Sequence, residues 1–187
     1  MRKNIPLLVL TLFALAPISS LDAGTLNGVT LPDTAQAGST NFVLNGMGLR
    51  TKYMVKVYVA GLYVAQKSSD PAAILKADAP KRIVMHFVRD VSKSQLTDGF
   101  TESFSGNTPD AAKTLKVDID RFFSALDSVK AGEELIFTYV PGTGTSFAAA
   151  GNDRLTIATP AFAEMLFSVW LGPKPPNASL KKGLLGQ

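Results

Sequence analysis

The sequence lacks cysteine altogether, and among its 187 residues it has one histidine, His86. Without cysteine the chain can form no disulfide framework, no thiolate zinc site and no thiol nucleophile. A single histidine also argues against a multi-histidine metal site and against a Ser-His-Asp triad of the usual kind. We therefore expect no metal and no cofactor, and we interpret His86, which lies in an apolar stretch, as a core residue rather than a base.

Charged residues are also few, and they are scattered along the chain. They make up 18% of the sequence, the net charge is +4, and no run of Lys or Arg is longer than two. Nucleic-acid binding needs a clustered basic stripe, so we expect no nucleic-acid partner. The 46% of hydrophobic residues excludes a disordered chain, and the length is typical of one domain.

The first 23 residues have the layout of a secretory signal peptide. Two basic residues precede an almost wholly apolar run over 5–18, and small residues follow up to Ala23. That run is shorter than the ~20 residues needed to cross a bilayer. We predict cleavage after Ala23, with a cut near Ser20 as the alternative, and a periplasmic or secreted location. Residues 24–187 then form one domain without a transmembrane segment.

The hydrophobic pattern after residue 23 alternates between the periods of strands and helices. A strand over 54–64 is apolar on both faces, which predicts a central strand covered on both sides. The whole pattern predicts an α+β fold with a largely antiparallel sheet covered by helices on one side. The other predicted elements are an edge strand over 25–31, a strand over 42–50, a helix over 71–75, a strand over 82–91, helices capped by Ser92 or Ser94 and beginning at Pro109, strands over 134–140, 145–149 and 154–158, and helices over 160–171 and 178–185.

Arg50 has the most informative position of the charged residues. It follows Gly46 and Gly48 at the end of an apolar strand, where burying a guanidinium is costly unless an anion pairs with it. Tyr58 lies eight residues further on, which in one straight strand is ~26 Å away, so the two side chains can meet only if the chain turns between them. The residues alone leave two interpretations open: an arginine paired at a loop beside a core tyrosine, or a ligand site.

Two motifs resemble the chalcone isomerase superfamily. The segment Gly-Met-Gly-Leu-Arg at 46–50, with the strand ending in Gly-Leu-Tyr at 61–63, resembles the start of that family. The tail Phe-Ser-Val-Trp-Leu-Gly at 167–172 resembles its bacterial, secreted, chalcone-isomerase-like branch. The resemblance covers nearly all of residues 24–187. It implies an open-faced β-sandwich, in which a curved antiparallel sheet and a layer of helices enclose an apolar cleft.

The resemblance also implies roles for single residues. In the isomerases the arginine matching Arg50 holds the substrate and stabilises the enolate, whereas in fatty-acid-binding members it grips a carboxylate together with a tyrosine. Tyr58 matches that tyrosine and stands where the isomerases have threonine. A tyrosine of the isomerases falls on Gln95, an asparagine falls near Thr101 or Glu102, and a threonine or serine falls on Val169, so most of the hydroxyls that organise water are absent.

These observations predict an exported, non-catalytic chalcone-isomerase-like protein that binds an apolar ligand with a carboxylate or carbonyl head. A fatty acid is the leading ligand, with Arg50 and Tyr58 on the head and with Gln95, Phe100 and Val169 lining the cleft. The alternative is an intramolecular lyase of the chalcone isomerase type, with Arg50 and Tyr58 as its catalytic groups. A third hypothesis is an envelope interaction protein with a vestigial cleft.

Overall fold

The computed structural model of the protein describes residues 23–187. Its strands form a two-stranded hairpin and one antiparallel seven-stranded sheet that curls into a half-barrel. The strands are β1 (Ala23–Leu26), β2 (Val29–Pro32), β3 (Thr34–Ala37), β4 (Thr40–Lys52), β5 (Val55–Val64), β6 (Lys81–Phe87), β7 (Glu134–Val140), β8 (Gly144–Ala149) and β9 (Asn152–Ile157). Strands β3 to β9 lie side by side in chain order, which makes β5 an inner strand.

Six helices fill the two long connections of the sheet and the C-terminal segment. They are α1 (Pro71–Lys76), α2 (Lys93–Asn107), α3 (Pro109–Thr114), α4 (Lys116–Ala125), α5 (Pro160–Leu171) and α6 (Ala178–Leu184). Local signals explain where two of them begin. Asp70 accepts hydrogen bonds from the first turn of α1, and Ser92 forms a reciprocal capping box with Gln95 at the start of α2. None of the helices described within 23–187 is long and apolar enough to cross a membrane.

The core has two parts, one on each face of the sheet. The larger part lies between the sheet and the helices, and α5 is buried along most of its length because it packs at the centre of that layer. The smaller part lies on the opposite face, where Val29 and Leu31 of the β1–β2 hairpin cover Val59 and Tyr63 of β5. The predicted α+β fold and the two-sided burial of β5 are therefore confirmed.

Several predicted boundaries are wrong, each for a physical reason. The edge strand predicted over 25–31 is the β1–β2 hairpin, because Asn27 and Gly28 take positive φ angles and form a two-residue turn. The strand predicted over 82–91 ends at Phe87, because Val91 pairs in an isolated bridge with Val129 instead of continuing the sheet. The helix predicted from Pro109 is two helices, α3 and α4, with a break that the continuous apolar stripe does not reveal.

Helix α6 lies unusually close to β4, and two glycines allow this approach. A Cβ atom on Gly46 would lie 2.2 Å from the carbonyl oxygen of Gly183, and one on Gly48 would lie 2.4 Å from that of Leu180. Any side chain at either position would push the helix away from the strand. The two glycines therefore set the position of the segment before α6, which contacts Arg50.

Candidate functional site

A cleft of about 740 Å³ opens between the sheet and the α2 and α5 helices. Its volume is within the range of small-molecule sites, about 300–1,000 Å³. The inner wall is apolar, because it is made by side chains that also belong to the main core. These side chains are Met85, Phe87, Leu96, Phe100, Val169 and Trp170.

Arg50 and Tyr58 are neighbours on this cleft. Strands β4 and β5 form a hairpin whose two-residue turn is Tyr53-Met54, and the register pairs Arg50 directly with Tyr58. Side chains paired in this way share one face of the sheet, with Cβ atoms about 4.5–5.5 Å apart. The turn that the sequence required for the two groups to meet is present. A register shift directly after Arg50 leaves Val57 without a partner on β4, and the pairing resumes at Thr51 with Lys56.

One nitrogen of the Arg50 guanidinium holds the side chain in place. Nη1 donates to the carbonyl oxygen of Thr51, to that of Pro176 (3.2 Å) and to Oδ1 of Asn177 (3.1 Å). These acceptors are neutral, and no carboxylate within residues 23–187 lies within 4.0 Å of the guanidinium. Nε and Nη2 have no hydrogen-bond partner within the same residues. The side of the guanidinium formed by Nε and Nη2, whose geometry suits a carboxylate, therefore makes no hydrogen bond to the described residues.

The Tyr58 hydroxyl is buried and has one hydrogen left to donate. Trp170 Nε1, which can only donate, gives its hydrogen to the Tyr58 oxygen at 3.1 Å. No acceptor for the phenol hydrogen lies within the part of the chain that is described. Burial raises the pKa of Tyr58 to about 12, and the Trp170 hydrogen bond and the charge of Arg50 lower it less. At neutral pH Tyr58 is therefore a neutral donor, not a phenolate base.

The rim of the cleft carries more positive than negative charge. Of its two acids, Asp90 is already paired, since it accepts from Lys130 Nζ at 2.9 Å and from the Ala131 backbone at 3.0 Å. The charged residues lining the cleft are Arg50, Lys52, Arg89 and Lys174, against Asp90 and Glu102. The rim therefore favours an anionic head group.

The structure brings all five sequence-selected residues to this one cleft. Phe100 and Val169 are buried in its wall, and Gln95 lies on its exposed rim. The Gln95 amide oxygen is already engaged, since it accepts from the Ser92 backbone at 2.9 Å. Whether these residues bind a ligand stays a prediction.

His86 lies outside the cleft, and it is less buried than the interpretation as a core residue predicts. It points to the face of the sheet opposite the cleft, is only partly buried, and has Nδ1 3.1 Å from Oε1 of Glu134. Strand alternation placed it on an apolar face but could not show that the face ends there. The cleft therefore contains no imidazole from the described chain.

Two residues of the site were assigned other roles from the sequence. In the sequence Trp170 belongs to the tail motif at 167–172 and to a predicted helix, and neither shows that its indole nitrogen donates to the Tyr58 hydroxyl. The position of Asn177 directly before the predicted helix over 178–185 predicts a helix cap. Asn177 occupies that position, but its side chain makes no capping bond and instead accepts from Arg50 and from the Thr51 backbone. An asparagine in an N-cap position gives no signal that distinguishes these two uses.

Comparisons with known proteins agree with this architecture. A family model described as chalcone isomerase-like matches residues 23–186. A crystal structure of a fatty-acid binding protein from Arabidopsis thaliana is similar to this chain, with a TM-score of 0.70 and 17% sequence identity. The similarity covers 88% of this chain and 96% of the plant chain. Comparison with the curated proteins finds no match.

Proposed function

This chain belongs to the chalcone isomerase-like family, and we propose that it is a non-catalytic carrier of fatty acids. The observation that carries the proposal is the pair of unused donors at the head of the cleft. The free edge of the Arg50 guanidinium and the free hydrogen of Tyr58 lie on one face of the hairpin, beside an apolar wall. A carboxylate with a hydrocarbon tail matches both parts of that surface.

The electrostatics support an anion rather than a neutral head group. A guanidinium stays charged, and its planar fork binds a carboxylate through two parallel hydrogen bonds. Partial burial of Arg50 strengthens such a pair relative to one in open water. The plant structure of similar fold is named as a fatty-acid binding protein, which supports the same class of ligand.

The residues at this cleft favour binding over ring closure. The resemblance assigns water-organising hydroxyls of the isomerases to the positions of Gln95 and Val169. Here the oxygen of Gln95 caps α2 and Val169 has no polar atom. Tyr58 is a neutral donor beside Trp170. These features can hold an oxyanion, and none of Gln95, Val169 and neutral Tyr58 can remove a proton at neutral pH.

The test is a titration of delipidated protein with palmitate, followed by calorimetry and by native mass spectrometry. We expect one palmitate per chain in the wild type, and an affinity about 100-fold lower in Arg50→Met, since charge-assisted hydrogen bonds contribute about 1.5–3 kcal/mol each. Methyl palmitate has no carboxylate, so wild type and Arg50→Met should bind it equally.

Arg82→Met is the matched control variant. Arg82 is also a half-buried strand arginine, but it donates to Thr138 and to the Gln36 carbonyl and lies over the ring of Phe42, away from the cleft. We expect Arg82→Met to bind palmitate as the wild type does. Absence of palmitate binding by the folded wild type contradicts the proposed function. Equal affinity in Arg50→Met contradicts only the role of Arg50.

We also propose that the protein is exported and belongs to the bacterial secreted branch of the family. The support for export is the amino-terminal sequence alone, because residues 1–22 lie outside the described structure. The support for the branch is the tail motif at 167–172. Export predicts a processed protein in the periplasmic or secreted fraction, with an amino terminus at Gly24 or a few residues before it. Amino-terminal sequencing of that fraction tests this, and an intact Met1 on all of the protein contradicts it.

A further inference from the structure

The hairpin tip, formed by Lys52, Tyr53, Met54, Val55 and Lys56, exposes large apolar side chains that the fold does not use. Tyr53 is 90% exposed and Met54 is 99% exposed. We propose that this hairpin tip inserts into the interface of an anionic lipid membrane and turns the mouth of the cleft towards the lipid. Membrane docking by the tip does not require a fatty acid in the cleft. The exchange of ligand between cleft and bilayer, which docking would allow, rests on the proposed function.

The tip residues are unfavourable for the turn that they form. Tyr53 and Met54 have φ angles of 50° and 66°, a pair of positive values that a type I′ turn requires. Bulky side chains are rare in this region, and Asn-Gly is the favoured pair. The chain uses that pair at Asn27-Gly28, whose φ angles are 52° and 79°. The requirements of the turn therefore do not explain why tyrosine and methionine stand at positions 53 and 54.

The other hairpin turns between residues 23 and 187 strengthen this comparison, because each of them contains glycine. The glycines of these turns are Gly28 between β1 and β2, Gly38 between β3 and β4, Gly142 between β7 and β8, and Gly151 between β8 and β9. The β4–β5 turn has two large apolar residues in their place. Backbone strain at exposed apolar residues is expected where those residues contact another molecule.

Charge complementarity points to an anionic lipid surface as the occupant. Lys52 and Lys56 flank the apolar residues on both sides, and both are exposed. Lys52 Nζ lies 5.8 Å from the centre of the Tyr53 ring, so charge and aromatic surface are presented together. An aromatic ring and aliphatic groups bordered by lysines suit the boundary between acyl chains and anionic head groups.

The tip is continuous with the cleft. Tyr53 and Val55 line the cleft mouth, and Arg89 and Lys174 extend the positive charge around it. A membrane that meets the tip therefore also meets the opening of the apolar cavity. Met54 is almost fully exposed and does not line the cleft. This separation allows docking and ligand binding to be changed independently.

The test is a lipid titration with vesicles of phosphatidylcholine and phosphatidylglycerol in equal parts, and with vesicles of phosphatidylcholine alone. The full chain is used throughout. Because every variant carries the same residues 1–22, differences between variants report on the tip. We expect the wild type to prefer the anionic vesicles, and we expect Tyr53→Asn/Met54→Gly to lower the partition coefficient at least about tenfold. The same pair should raise Tm by about 4 °C, because it removes the strain at two positions.

Single substitutions separate the proposal from a merely structural role. Met54→Ser should weaken vesicle binding several-fold while palmitate affinity in solution stays at the wild-type value. Val117→Ser is the matched control, because Val117 is 74% exposed but lies on α4, and it should bind vesicles as the wild type does. Lys52→Gln/Lys56→Gln should lose the preference for anionic vesicles. The charge-matched control is Lys67→Gln/Lys76→Gln, because both residues follow β5 in the chain, whereas the hairpin tip lies at the start of that strand. This control should keep the preference for anionic vesicles.

Three results overturn the proposal. The first is a wild type that stays free of the anionic vesicles, and the second is a tip variant that binds them as the wild type does. The third is self-association in sedimentation that Tyr53→Asn/Met54→Gly abolishes, which would make a second copy of the chain the occupant. Failure to bind palmitate with intact vesicle binding contradicts the carrier function and leaves docking standing.

Discussion

Gly48→Ala tests the chain of contacts that runs from a glycine in β4 to the guanidinium of Arg50. The added Cβ would lie 2.4 Å from the carbonyl oxygen of Leu180 and 2.9 Å from its Cα. These are backbone atoms, so no rotamer change can relieve the contact. Restoring an ordinary separation of 3.4 Å requires α6 to move away from β4 by about 1 Å.

That movement reaches the site because Asn177 directly precedes α6. Its Oδ1 lies 3.1 Å from Arg50 Nη1, and a shift of about 1 Å would lengthen this distance beyond that of a hydrogen bond. We expect the free energy of unfolding to fall by about 1–3 kcal/mol, which lowers Tm by about 3–10 °C. We expect palmitate affinity to fall about tenfold, because Arg50 then has to be ordered when the ligand binds.

Gly61→Ala is the control for this substitution. Gly61 is also an inner-sheet glycine, but the atom nearest to its added Cβ is the end of the Leu31 side chain, at 2.5 Å, which can rotate away. It also faces the smaller core, on the side opposite the cleft. Thermal unfolding and palmitate calorimetry measure both effects. Equal Tm values for the two variants, or a lower Tm with unchanged affinity in Gly48→Ala, would refute the reasoning.

Three further substitutions test single contacts. Asn177→Ala should lower palmitate affinity several-fold, because it removes an acceptor from Arg50. It should also lower Tm by about 2–4 °C, because the Thr51 backbone loses the same acceptor; calorimetry and thermal unfolding check this. The pKa of Tyr58 is raised from 10 to about 12 by folding, so the stability that its neutral form contributes is complete below about pH 10 and is lost as the pH rises to about 12. Between these pH values the wild type should therefore lose about 3 kcal/mol more of its free energy of unfolding than Tyr58→Phe does. Urea unfolding of both proteins at each pH measures this difference. Lys81→Met should cost about 2–4 kcal/mol in urea unfolding, because the buried ammonium donates to three carbonyl oxygens at the end of α1, whereas Lys76→Met on the exposed surface of that helix should cost little.

Patterns that depend on nearby residues were predictable from the sequence. The strand over 134–140 and the helix over 160–171 have the observed boundaries, because alternation and helical periodicity are properties of consecutive residues. The start of α1 and a serine cap for α2 were predictable for the same reason, since a cap involves groups two or three residues apart. The sequence left Ser92 and Ser94 as alternatives, and the structure shows that Ser92 is the cap. The fold class followed from the order of these elements.

The arrangement of the candidate site depended on contacts between distant residues. Tyr53-Met54 has none of the residues that mark a type I′ turn, so the pairing of Arg50 with Tyr58 became visible only in the folded hairpin. A family resemblance selected both residues, but it could not show what holds them.

The sequence by itself determined the type and order of most strands and helices, although not all of their boundaries. It also determined that one arginine follows two glycines at the end of an apolar strand. The tertiary structure alone decided that Asn177, 127 positions away, holds this arginine, and that Trp170, 112 positions from Tyr58, leaves the phenol hydrogen free. The physical reason is that propensity acts over a few residues, whereas the direction of a hydrogen bond depends on how separate elements pack.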